Sequence, residues 1–131
     1  TTSTNGRSVY TIDKLGGSWK KHASSRTNTL QESNCMASLI KEDFMVNGQM
    51  KSLALFSNPN TMKGRNHISI KVSFDDGETW DLDKTLLLDA WESRGYSCMT
   101  KVDDHTVGIL YEGSQADMTF QLVPIKDIVG K

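Results

Sequence analysis

From residue 65 to residue 74 the chain alternates without a break, with Ile68, Ile70, Val72 and Phe74 on one side and His67, Ser69, Lys71 and Ser73 on the other. This period of two predicts a half-buried β-strand. The next residues, Ser73-Phe74-Asp75-Asp76-Gly77-Glu78-Thr79-Trp80, read as a device for reversing that strand. Asp75 and Asp76 can accept hydrogen bonds from amides two residues on, Gly77 can take a positive φ, and Thr79-Trp80 restart an extended run whose indole can fold back as an apolar plug. Further short strands are predicted over residues 8–12, 52–56, 96–102, 106–112 and 117–125, and in the last of these Met118, Phe120 and Leu122 alternate against Thr119 and Gln121. The longest linker runs over residues 57–63, with Asn58-Pro59-Asn60 as a turn. No helix of useful length is predicted, and residues 86–92 form the one plausible helical turn. The pattern is all-β.

Two repeats organise these strands. The Ser-x-Asp-x-Gly-x-Thr-Trp pattern ending at Trp80 resembles the Asp box, a hairpin signature of β-propeller blades. A faulty copy, Asp13-Lys14-Leu15-Gly16-Gly17-Ser18-Trp19, ends 61 residues earlier, with Lys14 where the aspartate belongs. The pairs Cys35-Met36 and Cys98-Met99 lie 63 residues apart and open similar words. Such periods point to stacked units that cannot bury their faces alone. The expected division of the single fragment 1–131 is the end of one blade over residues 1–22, a complete blade over 34–88 and a last, partial blade over 96–126. A blade takes roughly 40 to 60 residues and a closed propeller needs at least about four blades. The expectation is therefore an incomplete propeller whose open sheet edges associate with missing N-terminal blades or with a second copy.

Composition narrows the function classes. With a net charge of −1 there is no basic excess to suggest nucleic acid, and no apolar run reaches membrane-spanning length. Cys35 and Cys98 are too few for a disulfide scaffold and have no ligand neighbours at zinc-site spacing. They read as buried reduced thiols, with a disulfide between them left open. No metal or other cofactor is expected, and His22, His67 and His105 fall on polar surfaces. The chain starts at Thr1 without Met or a signal peptide, as a fragment or a processed chain would.

Three polar residues stand where predicted strands begin or end: Arg65, Tyr96 and Glu112. Taken alone, Arg65 could be an ordinary strand-edge arginine and Tyr96 a half-buried tyrosine. Glu112 closes the apolar run Gly108-Ile109-Leu110-Tyr111, where a charge has to be paired or lie at a rim.

The words around these residues resemble successive landmarks of bacterial sialidases. They are Leu55-Phe56-Ser57-Asn58-Pro59-Asn60, Gly64-Arg65, the residues from Ser73 to Trp80, Gly95-Tyr96-Ser97-Cys98 and Gly108 to Glu112, preceded by Gln31-Glu32-Ser33-Asn34-Cys35-Met36-Ala37-Ser38. The family more often has Pro-Val at positions 33 and 34. The resemblance implies the C-terminal part of a six-bladed propeller that removes terminal sialic acid from glycans with retention. Arg65 would be one of three arginines gripping the sugar carboxylate. Tyr96 would be the nucleophile, a neutral group suited to an anomeric carbon that carries a carboxylate. Glu112 would orient an arginine of the triad. Secretion or a periplasmic location is implied by the family alone.

The same resemblance implies parts that this chain lacks. No residues match the glutamate that takes the tyrosine proton, the aspartate acid/base or the other two arginines. Glu32 sits in a context that predicts a structural role. The chain alone is therefore expected to be inactive, and the rival reading is a non-catalytic Asp-box propeller that binds a glycan or a protein.

Overall fold

The computed structural model describes residues 6–115 and 117–130. Its nine strands are β1 (Tyr10–Thr11), β2 (Lys20–Lys21), β3 (Ser38–Val46), β4 (Gln49–Pro59), β5 (Ile68–Ser73), β6 (Asp81–Asp89), β7 (Ser97–Asp103), β8 (Thr106–Glu112) and β9 (Met118–Pro124). A 3-10 turn covers Asn28–Leu30, and a short helix α1 (Ile125–Val129) ends the described chain. β1 pairs with β2, β3 to β6 form a four-stranded antiparallel meander, and β7 to β9 form a three-stranded one.

The core lies between the two larger sheets. From one sheet come Phe44, Val46, Leu53, Leu55, Ile68, Ile70 and Val72, and from the other Met99, Val107, Ile109, Tyr111 and Val123. Each buried aliphatic side chain contributes roughly 1.5–3 kcal/mol. α1 closes one end with Ile125 and Ile128 against β3, β5 and β6. Small hydroxyls bridge the sheets: Ser57 Oγ and Ser97 Oγ lie 2.8 Å apart, and Met99 N donates to Ser38 Oγ at 3.0 Å.

Several expectations are corrected. β5 is buried on both faces: Ser69 and Ser73 are as buried as the apolar positions, Lys71 reaches the Thr29 carbonyl of the N-terminal segment, and Phe74 projects outward beyond the strand end. Residues 86–89 belong to β6, whose register against β5 shifts twice, so its apolar spacing follows neither simple period. The helix instead follows Pro124, where Ile125 and Ile128 share one buried face. Asn58 and Pro59 continue β4, and the Asn58 side chain donates to Gln31 O at 2.6 Å. Both cysteines are free, but only Cys35 is buried, because Ser97 and Met99 take the inward positions of β7 and turn Cys98 outward. Cys35 precedes β3 whereas Cys98 lies within β7, so the two Cys-Met pairs are not equivalent positions.

The turn after β5 is held differently from the expected two-residue reach. Asp75 Oδ1 accepts from Thr79 N at 2.8 Å and its Oδ2 from Thr79 Oγ1 at 2.6 Å, while Ser73 Oγ accepts from Gly77 N at 2.9 Å. The Thr79 hydroxyl and amide, with the Ser73 hydroxyl, hold the Asp75 carboxyl below its ordinary range. Asp76 instead takes a positive φ of 61° and pairs with Lys41 at 2.8 Å. Trp80 packs edge-on against Phe56, with ring centroids 5.9 Å apart. In the faulty copy Gly17 N donates to Lys14 O, Asp13 pairs with Lys20, and Trp19 stays exposed. His22 is not a bare surface residue, since its ring lies 2.8 Å from Ser24 Oγ and 3.0 Å from Glu78.

Lys71 is the costly member of β5. Its Nζ donates to Thr29 O at 2.9 Å, and burial lowers its pKa from the ordinary 10.5 to about 8. A lowered lysine pKa means that the unfolded chain binds the extra proton, so stability rises with pH between about 8 and 10.5. Below that window the buried charge costs about 3 kcal/mol. Lys71→Met is expected to gain about 2 kcal/mol at pH 7, after loss of one hydrogen bond, and to flatten stability across that window. Denaturant melts of both chains from pH 6 to 10 measure this.

Candidate functional site

The loop leaving β4 and the connection leaving β6 meet at the start of β7. Gly64, with φ 79°, turns the first of these toward Arg65. The Arg65 amide donates to Glu92 Oε1 at 2.9 Å, its carbonyl accepts from Ser93 N at 2.8 Å and Ser93 Oγ at 2.9 Å, and its Nη1 donates to Arg94 O at 2.8 Å. The guanidinium carbon lies 5.4 Å from the centre of the Tyr96 ring, within cation–π range. Among the described residues no carboxylate pairs with this guanidinium.

Tyr96 precedes β7 and is 44% exposed. Glu112 ends β8, the neighbour of β7. Its carboxylate Oε2 accepts from Tyr96 N at 3.1 Å, and its own amide donates to Tyr96 O at 3.0 Å. Arg65, Tyr96 and Glu112, which come from three separate elements, are thus brought together. Glu32 faces Arg7, 3.9 Å away, rather than any of these three.

Gly95 sets this geometry. Its φ is 91°, and a Cβ there would lie 2.8 Å from Cys35 Sγ, 2.9 Å from Pro59 Cγ and 3.2 Å from Arg65 Cβ. Glycine alone allows the chain to pass so close while turning into Tyr96. Burial raises the pKa of the adjacent Cys35 thiol, although nearby Arg65 opposes this.

The sequence pattern did not disclose the connection itself. Asp89, at the end of β6, accepts from Trp91 N at 3.0 Å and Ser114 N at 2.9 Å. Partial burial raises its pKa, but these amides together with the Ser114 hydroxyl more than offset that and leave it below the ordinary range. Glu92, Ser93, Arg94, Gly113 and Ser114 line a small open cleft of about 220 Å3. Asp89 before Ala90-Trp91 is a turn signal that could have marked this corner. A larger groove of about 460 Å3 lies elsewhere, between the N-terminal segment and β3–β4, and none of the three predicted site residues lines it. Among the described residues no cluster of His, Cys, Asp and Glu could hold a metal ion.

A guanidinium, a phenol and a carboxylate are thus gathered at one end of two packed antiparallel sheets. Comparison with known proteins specifies the class. Over 123 residues, 94% of the chain, it is 50% identical to a sialidase of Bacteroides fragilis (strain YCH46), of which it covers 22%. Over 58 residues, 44% of the chain, it is 40% identical to a sialidase of Micromonospora viridifaciens, of which it covers 8%. The solved structure of Hadza microbial sialidase Hz136 superposes with a TM-score of 0.84 and 51% identity over 95% of this chain and 24% of that one. No protein-family model matches. The chain is a sialidase homologue with the fold of a sialidase β-propeller fragment, and it spans less than a quarter of the length of these relatives.

Gly95→Ala is expected to cost about 2 kcal/mol of stability through the positive φ and the crowding against Cys35 and Pro59. It should also move Tyr96 away from Arg65. Denaturant midpoints and the ring-current shifts of Arg65 protons in NMR spectra measure the two effects.

Proposed function

We propose that this chain is the C-terminal part of a retaining exo-α-sialidase acting on terminal sialic acid of glycans. The convergence of Arg65, Tyr96 and Glu112 carries this reading and favours it over a non-catalytic binding module. In it, Arg65 offers its planar donor fork to the sugar carboxylate. The Tyr96 oxygen attacks the anomeric carbon as the aglycone departs, forming a covalent glycosyl-enzyme that water then opens with net retention. Glu112 already spends Oε2 on the Tyr96 amide. Its other oxygen would orient an arginine supplied by the rest of the protein. The base glutamate, the acid/base aspartate and two arginines come from that same remainder, and the intact protein is secreted or periplasmic.

The outward face of the last sheet supports this incompleteness. Met118, Phe120 and Leu122 point away from the core and are 60%, 59% and 59% exposed, with Leu110 beside Phe120 in register. Single exposed apolar residues are ordinary, but a contiguous patch marks an interface. Its occupant in this reading is a blade from the missing part of the same protein.

Two outcomes test these proposals. The 131-residue chain should not turn over a fluorogenic sialoside, whereas the longer protein that contains it should, with kcat falling at least about a thousandfold in Tyr96→Phe. Turnover by the short chain that disappears with Tyr96→Phe would refute the inactive-fragment reading. In sedimentation experiments the short chain should self-associate through its uncovered face, and Phe120→Ser/Leu122→Ser should shift it toward monomer. A monodisperse wild-type monomer counts against the interface.

A further inference from the structure

We propose that residues 92–94 form a strap that positions Arg65, with Glu92 as its principal positioning residue. This rests on the sialidase reading for what Arg65 binds, but the positioning itself can be measured independently of it. Three consecutive residues contact Arg65 at three different points: the Glu92 carboxylate receives its amide, Ser93 donates twice to its carbonyl, and the Arg94 carbonyl receives its guanidinium. Hence both the backbone and the tip of this long side chain are fixed by one short segment. That restricts a group which otherwise carries about 2 kcal/mol of rotamer entropy.

The local sequence suits this role. Glu92 Oε2 also accepts from Asn66 Nδ2 at 3.0 Å, so its two oxygens grip consecutive residues of the loop. These two donors, Asn66 first and then the Arg65 amide, hold the Glu92 carboxyl below its ordinary pKa range. Gly64 leaves the space for this grip, since a Cβ there would lie 2.9 Å from Glu92 Oε2. At its upstream end the strap is tied by Asp89 to Trp91 and Ser114, and at its downstream end Gly95 passes it into Tyr96. The guanidinium and the phenol are therefore registered to each other through one connection of a few residues. Glu92 touches no reacting group in this arrangement, and it acts through Arg65.

The test has a structural arm and a kinetic arm. In the 131-residue chain labelled with [15N]arginine, the Arg65 Nε–Hε signal should be ordered in the wild type and Glu92→Gln, because a glutamine oxygen can still accept the Arg65 amide. It should become mobile in Glu92→Ala and in Gly64→Ala. In the longer protein, Glu92→Ala should raise KM for a sialoside about tenfold while changing kcat by less than about threefold, and Glu92→Gln should restore most of the loss. An Arg65 signal equally ordered in wild type and Glu92→Ala would overturn the proposal, as would a KM that does not follow Arg65 order across the variants. If the intact wild type hydrolyses no sialoside, the sialidase reading fails, and the NMR arm still decides whether the strap positions Arg65.

Discussion

Everything in this molecule hangs on a strand that has no solvent face. Ile68, Ile70 and Val72 enter the core between the sheets, while Ser69, Lys71 and Ser73 are covered from the other side. The cover is not apolar: Thr29 presents a carbonyl to Lys71 and Gln31 presents one to Asn58 on the neighbouring strand. Arg7 lies over the ring of Phe56, whose edge-on partner is Trp80. Packed from both faces and flanked by β4 and β6, β5 has little freedom to tilt. Arg65 leads into one end of it and the Asp75 turn leaves the other. The site therefore starts from a rigid element, which is the condition for holding reactive groups to within a fraction of an ångström.

The second requirement is that the two sheets converge where the site is built. Large side chains at Ser38, Ser57 and Ser97 would hold the strands apart, whereas their hydroxyls fill little space and hydrogen-bond across the seam. Buried hydroxyls of this kind are tolerable because each finds a partner. Tyr96 is the residue before Ser97, so the seam fixes its backbone, and Glu112 pairs with it from the adjacent strand. The apolar core and the polar site are thus two ends of one packing arrangement.

Strands with strict alternation and the glycine turn after β5 were legible in the sequence, whereas the turn read at Asn58-Pro59-Asn60 lies largely within β4. The run ending at Ser73, the run from Thr106 to Glu112 and the glycine at position 77 all announce themselves within a few residues. The failures have a common cause in partners distant along the chain. Ser69 and Lys71 look like a solvent face, yet both are buried, Lys71 against the Thr29 carbonyl more than forty residues away. The bulges in β6 destroy its period, and α1 offers only Ile125 and Ile128 as a signature. At the site, Arg65, Tyr96 and Glu112 stood out through the family words around them. The strap did not, because Ser93 and Arg94 contact Arg65 largely through backbone groups that every residue possesses.

The charges around the site bear on how much of it this chain contains. Arg65 is the cation beside Tyr96, but Glu112 and Glu92 place two carboxylates on the same small group of residues, Arg94 beside them is exposed, and Arg7, which donates to Cys35 O, faces Glu32. Such a group has no surplus of positive charge, and a carboxylate arriving from solution would exchange good hydration for a nearly balanced field. In the proposed reading, tight binding of an anionic sugar calls for further cations facing the same cleft. Glu112 Oε1, which has no hydrogen bond among the described residues, would give one of them a place to anchor in that reading, since a carboxylate near an anion site is tolerable when a guanidinium stands between the two. In the proposed reading this balanced field is what one part of a larger site would show, with further positive charge supplied from outside this chain.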